Sequence, residues 1–135
     1  MRRHIMFVAV MFILVAGALI SCSKPVASPP GDGNVNVTIT DSGITAAQTT
    51  FLSGVHYHFT VANHGSHEHE LSIERTDMQQ IAMGGMNGMA TSGNIAPGAT
   101  ATFDYTFDAA ARQQDLQLGC YYQGHQDLRL HIQVS

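Results

Sequence analysis

Gly119-Cys120-Tyr121-Tyr122-Gln123-Gly124-His125 lies between two segments of alternating character. Leu116 and Leu118 precede it, and Leu128, Leu130, Ile132 and Val134, spaced by Arg129, His131 and Gln133, follow it. A period of two is the mark of a strand with one buried face. The Cys-x4-His is therefore placed in the turn between the last two strands. A soft thiolate with an imidazole a few residues away suits copper or zinc. Two donors do not make a site, so at least a third must come from elsewhere in the chain.

Working outward from this turn, the same period recurs. Val35, Val37 and Ile39 alternate with Asn36, Thr38 and Thr40, and Asp41-Ser42-Gly43 ends that run with turn residues. Val55, Tyr57, Phe59 and Val61 alternate with His56, His58, Thr60 and Ala62 until Asn63-His64-Gly65. His69 to Arg75 forms a further short strand. Pro97-Gly98 turns the chain into Ala101, Phe103, Tyr105 and Phe107, and residues 108–114 read as a helical turn or a loop. Six or seven short strands at near-regular spacing predict an all-β fold, an antiparallel Greek-key sandwich or barrel. The chain carries no internal repeat, glycine-rich phosphate loop or basic helix.

The beginning of the 135-residue chain stands apart from this pattern. Arg2 and Arg3 precede an uncharged apolar run from Ile5 to Ile20, shorter than the roughly 20 residues of a spanning helix. Residues 1–21 read as an export signal. Leu19-Ile20-Ser21-Cys22 resembles the lipobox of bacterial lipoproteins, which makes Cys22 an acylated anchor facing the periplasm or the cell exterior. Residues 22–34 hold Pro25, Pro29, Pro30, Gly31 and Gly33 and read as a solvated tether, so the folded domain spans 35–135.

With Cys22 lipidated, Cys120 is the only thiol of the exported domain. An unpaired thiol in an oxidising compartment calls for a role, and ligation of a metal is one. Without Arg2 and Arg3 there remain four basic residues (Lys24, Arg75, Arg112, Arg129) against ten acidic ones, a net charge of −6. Nucleic acid is thereby excluded as a partner, because phosphate binding requires clustered Lys and Arg. A redox partner with a basic docking surface fits the charge.

The third donor is sought in Asn63-His64-Gly65-Ser66-His67-Glu68-His69-Glu70-Leu71. Here the chain resembles the cupredoxins, small copper proteins with an Asn-x-Gly turn, a His-Glu-aliphatic strand start and a Cys-x4-His loop near the C-terminus. The resemblance spans about residues 35–135 and implies one copper ion, cycling between Cu(I) and Cu(II), on His69, Cys120 and His125. Zinc in a structural site would instead prefer four protein ligands. The family's axial methionine is missing from Gln126-Asp127-Leu128-Arg129-Leu130, so Leu128 is expected on the axial side without coordinating, with the Gln126 oxygen as a substitute donor. Loss of an axial donor raises the expected reduction potential.

Other soft or basic donors remain. His56, His58 and His131 fall on polar strand faces and read as solvated, whereas His64 and His67 form His-x2-His-x-His with His69. Met83, Met86 and Met89 recur every three residues in a glycine-rich stretch that disfavours helix. Thioethers select Cu(I), and the same side chains could form an apolar docking patch. The leading expectation is a monomeric electron carrier rather than an enzyme, with His125 as the electron exit. The alternative is a copper-trafficking protein that passes Cu(I) on from the methionines.

Overall fold

A computed structural model describes residues 33–77, 89–122, 124–125 and 127–135. The export signal, Cys22, nearly all of the tether, Met83, Met86 and Gln126 lie outside the described residues. Among those described there are nine strands: β1 (Asn34–Thr40), β2 (Gly43–Ala46), β3 (Thr50–Phe51), β4 (His56–Asn63), β5 (His69–Arg75), β6 (Ala90–Ile95), β7 (Thr100–Thr106), β8 (Leu116–Cys120) and β9 (Arg129–Val134). A 3-10 turn (Ala109–Gln113) takes the place of the helical turn or loop expected at 108–114, and the Asp108 carboxylate accepts from the Ala111 N–H at 2.9 Å. No described helix is long and apolar enough to cross a membrane.

The strands form two sheets, ordered β2-β1-β4-β7 and β3-β9-β8-β5-β6, packed as a sandwich. The alternation read along β1 and β4 is its cause. Val35, Val37 and Ile39 with Tyr57, Phe59 and Val61 point inward, and they meet Leu71, Ile73, Leu116, Leu118 and Ile132 of the second sheet. Two pairings run parallel, β1 with β4 and β3 with β9, where the sequence led us to expect antiparallel neighbours throughout. The reason is topological. The chain leaves the first sheet after β2, contributes β3 to the second, and returns as β4 beside β1 in the same direction.

The two ends of the sandwich differ. At one end Phe51, Tyr57, Phe59 and Phe107 pack at ring-centroid distances of 5.0–6.5 Å, a core with the offset and edge geometries that aromatic rings favour. At the other end the β1–β2 turn, the end of β4, the start of β5 and the end of β8 converge. Every candidate donor of the Cys-x4-His and His-x2-His-x-His segments that the structure describes is carried there.

Candidate metal centre

The end of β4 is organised by one side chain. Asn63, fully buried, accepts the Gly65 N–H at 2.8 Å through Oδ1 and donates through Nδ2 to the carbonyls of His67 and Ile95, both at 2.8 Å. Three backbone groups are thus held by one amide, an Asx turn that fixes the loop before β5. The sequence identified this Asn-x-Gly as a turn. The structure adds that it sets where His69 begins its strand. A bulge between Glu70 and Ser72 follows, with the Leu71 N–H bonded to Ser92 Oγ at 2.9 Å instead of to the β6 ladder.

On the opposite side, Gly124 adopts φ of +91°, and the His125 N–H bonds to the Tyr122 carbonyl at 3.0 Å. The Leu128 N–H bonds to the His125 carbonyl at 3.1 Å, and the Cys120 N–H to the Leu128 carbonyl at 3.2 Å. These tight turns close the Cys-x4-His loop over the end of the second sheet, and β8–β9 pairing from Gly119↔Arg129 onward holds its stems.

Of the three donors named from the sequence, His69 lies beside each of the other two. His69 Nδ1 lies 3.6 Å from Cys120 Sγ and 3.1 Å from His125 Nδ1. An ion bound through imidazole nitrogens at about 2.0–2.1 Å and a thiolate at about 2.3 Å, with angles of roughly 100–110°, separates two nitrogens by about 3.1–3.4 Å and a nitrogen from the sulfur by about 3.3–3.6 Å. The two spacings measured from His69 Nδ1 fall in those ranges. His69 is fully buried and Cys120 is 1 % exposed, while His125 is half-buried and reaches the surface.

Burial pushes the Cys120 thiol above its usual range, against the backbone N–H groups of Glu70 and Tyr122, which donate to the sulfur. Two N–H donors aimed at one sulfur favour a thiolate, whereas the dry surroundings disfavour it. A cation bound beside the sulfur would resolve the conflict by compensating the charge.

A fourth group was missed from the sequence. Asp41 Oδ1 accepts from His69 Nε2 at 3.1 Å, and Asp41 stands in the β1–β2 turn, 28 residues away. Asp41, His69 and His125 together form a cluster of donors. Asp41, however, bonds His69 Nε2, whereas Cys120 and His125 face the other ring nitrogen, Nδ1. It also accepts from the Ser66 N–H at 2.9 Å, Ser66 Oγ at 2.6 Å and the His67 N–H at 3.2 Å. The bonds from Ser66, then those from His69 and His67, hold its carboxyl far below the usual carboxylate range in spite of partial desolvation. Only its identity as a turn residue was visible in the sequence.

The remaining histidines and the described methionine are placed as follows. His67 is exposed, and its ring meets His125 edge-on at 5.3 Å. His64 is exposed and makes a backbone bond to Ile39. His56 and His58 are not simply solvated, since both face Asp104 of β7, at 3.5 and 2.7 Å. His131 is exposed. Met89 enters β6 half-buried against the core, with its N–H on the Ile73 carbonyl at 2.7 Å. Leu128 is likewise half-buried against the core.

No family model matches the chain and no curated protein matches it in sequence. Solved structures do match in shape. The azurin Az-iso2 of Methylomonas sp. strain J superposes with a TM-score of 0.58 at 14 % identity, over 77 % of this chain and 98 % of that one. The dithionite-reduced auracyanin of Roseiflexus castenholzii superposes with a TM-score of 0.56 at 15 % identity, over 76 % and 97 %. Both are cupredoxins, and the two sheets with the loops that join them span nearly the whole of each. This chain has the cupredoxin fold.

Proposed function

We propose that the domain binds one copper ion through His69 Nδ1, Cys120 Sγ and His125 Nδ1 and serves as a one-electron carrier. The observation that supports this most directly is that His69 Nδ1 lies 3.1 Å from His125 Nδ1 and 3.6 Å from Cys120 Sγ, at the end of a sandwich whose shape is that of azurin and auracyanin. Bound copper supplies a Cu(II)/Cu(I) couple. The residues do the rest. Buried His69 and Cys120 exclude water, and their anchoring on β5 and β8 keeps the donor geometry in place whichever charge the ion carries. His125, half-buried on its loop, offers the path by which an electron reaches a partner.

A His2Cys donor set on the shape of azurin and auracyanin reads as an electron carrier rather than an enzyme. The location follows from the sequence reading: an exported domain, anchored by a lipid on Cys22 and tethered by residues 22–34, working at the outer face of a bacterial membrane. Its net charge of −6 without the signal favours a partner with a basic docking face.

Copper-loaded protein should be intensely coloured, with a thiolate-to-copper charge-transfer band and reversible one-electron redox, and Cys120→Ser should abolish the band. A band that survives Cys120→Ser removes the ligand assignment. Colourless protein that exchanges Cu(I) readily would replace the carrier with the trafficking reading.

A further inference from the structure

We propose that Asp41 is a positioning residue of this centre: its carboxylate holds His69 Nε2–H, so that Nδ1 faces the metal, and its charge favours the oxidised ion. The inference rests on the copper reading above. Its first support is that the contact is built. His69 is fully buried, and its Nε2 meets Asp41 Oδ1 at 3.1 Å across 28 residues of sequence, from a different sheet.

The second support is the space that the contact occupies. A Cβ placed on Gly65 would stand 2.5 Å from Asp41 Oδ1 and 2.8 Å from His69 Nε2. Gly65 has no left-handed backbone to require glycine. What requires it is the approach of the carboxylate to the imidazole, and the atom most able to yield to a methyl group is the carboxylate oxygen.

The third support is the division of labour within Asp41. Oδ2 takes the Ser66 N–H and hydroxyl, while Oδ1 takes the His67 backbone, His67 Nδ1 and His69 Nε2. The bonds from Ser66 and from the His67 N–H pin the 64–67 turn. The reach to His69 is additional, and its chemical consequence is fixed. A neutral imidazole that donates from Nε2 must present a bare Nδ1, the atom that faces Cys120 and His125. A negative charge one imidazole from the ion also stabilises Cu(II), the more highly charged state, over Cu(I).

Asp41→Asn keeps an oxygen for the donors and removes the charge. It should retain the charge-transfer band, weaken Cu(II) more than Cu(I) by about ten-fold, and so raise the potential by about 59 mV for a one-electron couple. The tautomer is read without copper. In nitrogen NMR spectra of the metal-free chain, His69 should carry its proton on Nε2, slow to exchange. Asp41→Ala and Gly65→Ala, the second leaving Asp41 itself in place, should each speed that exchange or mix the tautomers.

An unchanged potential in Asp41→Asn, or an unchanged His69 Nε2–H signal in both alanine variants, overturns the proposal. If wild-type protein shows no thiolate–copper band, the copper reading fails. The metal-free NMR comparison still decides whether Asp41 sets the His69 tautomer.

Discussion

Arg129→Ala should destabilise the domain far more than an ordinary salt-bridge deletion. On the outer face of the second sheet, Glu74 of β5 is 1 % exposed. Its Oε1 accepts from Gln117 Nε2 of β8 at 2.6 Å and from Arg129 Nη1 of β9. Burial first, and Glu74 after it, push the nearby Tyr121 phenol far above its usual range. Gly119 makes room for the pair, since a Cβ there would meet Glu74 Oε1 at 2.5 Å and Arg129 Nη1 at 3.1 Å.

The two partners are not equivalent. Arg129 keeps 31 % of its side chain in water and can turn outward when Glu74 is neutralised. Glu74 has no such exit. Removing Arg129 strands a buried carboxylate, at a cost of about 3–5 kcal/mol. Glu74→Gln loses a hydrogen bond to a charged group, bounded by about 1.5–3 kcal/mol. The double variant should then be more stable than Arg129→Ala alone, because the stranded charge is gone. Urea unfolding of the metal-free protein, read as midpoint shifts at constant m-value, measures all three. An Arg129→Ala cost under about 1 kcal/mol, the value of an exposed pair, would refute the reasoning. Strict additivity in the cycle would refute it as well.

Two further outcomes follow from the centre itself. Because burial holds Cys120 as a thiol, binding of copper should release its proton, and the apparent affinity should rise about ten-fold per pH unit above neutrality until the free thiol itself ionises; a flat profile in a chelator competition would show that the thiolate is already formed. Leu128→Met should lower the potential measured by voltammetry if a thioether at that position reaches the ion as an axial donor, and an unchanged potential would mean that the sulfur does not reach it.

The legible parts of the fold were those whose cause is local. β4 could be read because Tyr57, Phe59 and Val61 alternate without a break, and β9 because Leu130, Ile132 and Val134 do the same. Thr50–Phe51 is too short to show a period, and Ala90–Ile95 (Ala-Thr-Ser-Gly-Asn-Ile) has too few apolar side chains to show one. Those strands exist because β9 and β5 offer them free edges. The site divides in the same way. Cys120, His125 and His69 carry chemistry few residue types can supply, so spacing and resemblance were enough to single them out as candidates. Asp41 had a sufficient local explanation as a turn residue, and Glu74 as the outward position of an alternating strand, so nothing in the sequence pointed to their distant partners. Gly65 was read as a turn glycine for the same reason, although the structure assigns it to a close approach.

These unread contacts bear directly on what the centre can do. Electron transfer is fast when little moves between the two charge states, which requires ligands held by something other than the ion. His69 is held from behind by Asp41 and from its loop by Asn63. Cys120 is held by its N–H on the Leu128 carbonyl and by its place opposite Leu71 in the β5–β8 pairing. The strands that bear both are tied by Glu74, Gln117 and Arg129 across β5, β8 and β9. His125 differs, since its anchors are turn bonds within its own loop, and its ring is half-buried beside exposed His67. Among the described residues, the anchoring contacts thus gather on the two buried side chains, while His125 is the one of the three that reaches the surface. If the proposed redox partner docks over His125, it meets the side chain of the three that reaches the surface, while the separation of His69 and Cys120 stays set by the paired strands β5 and β8 that carry them.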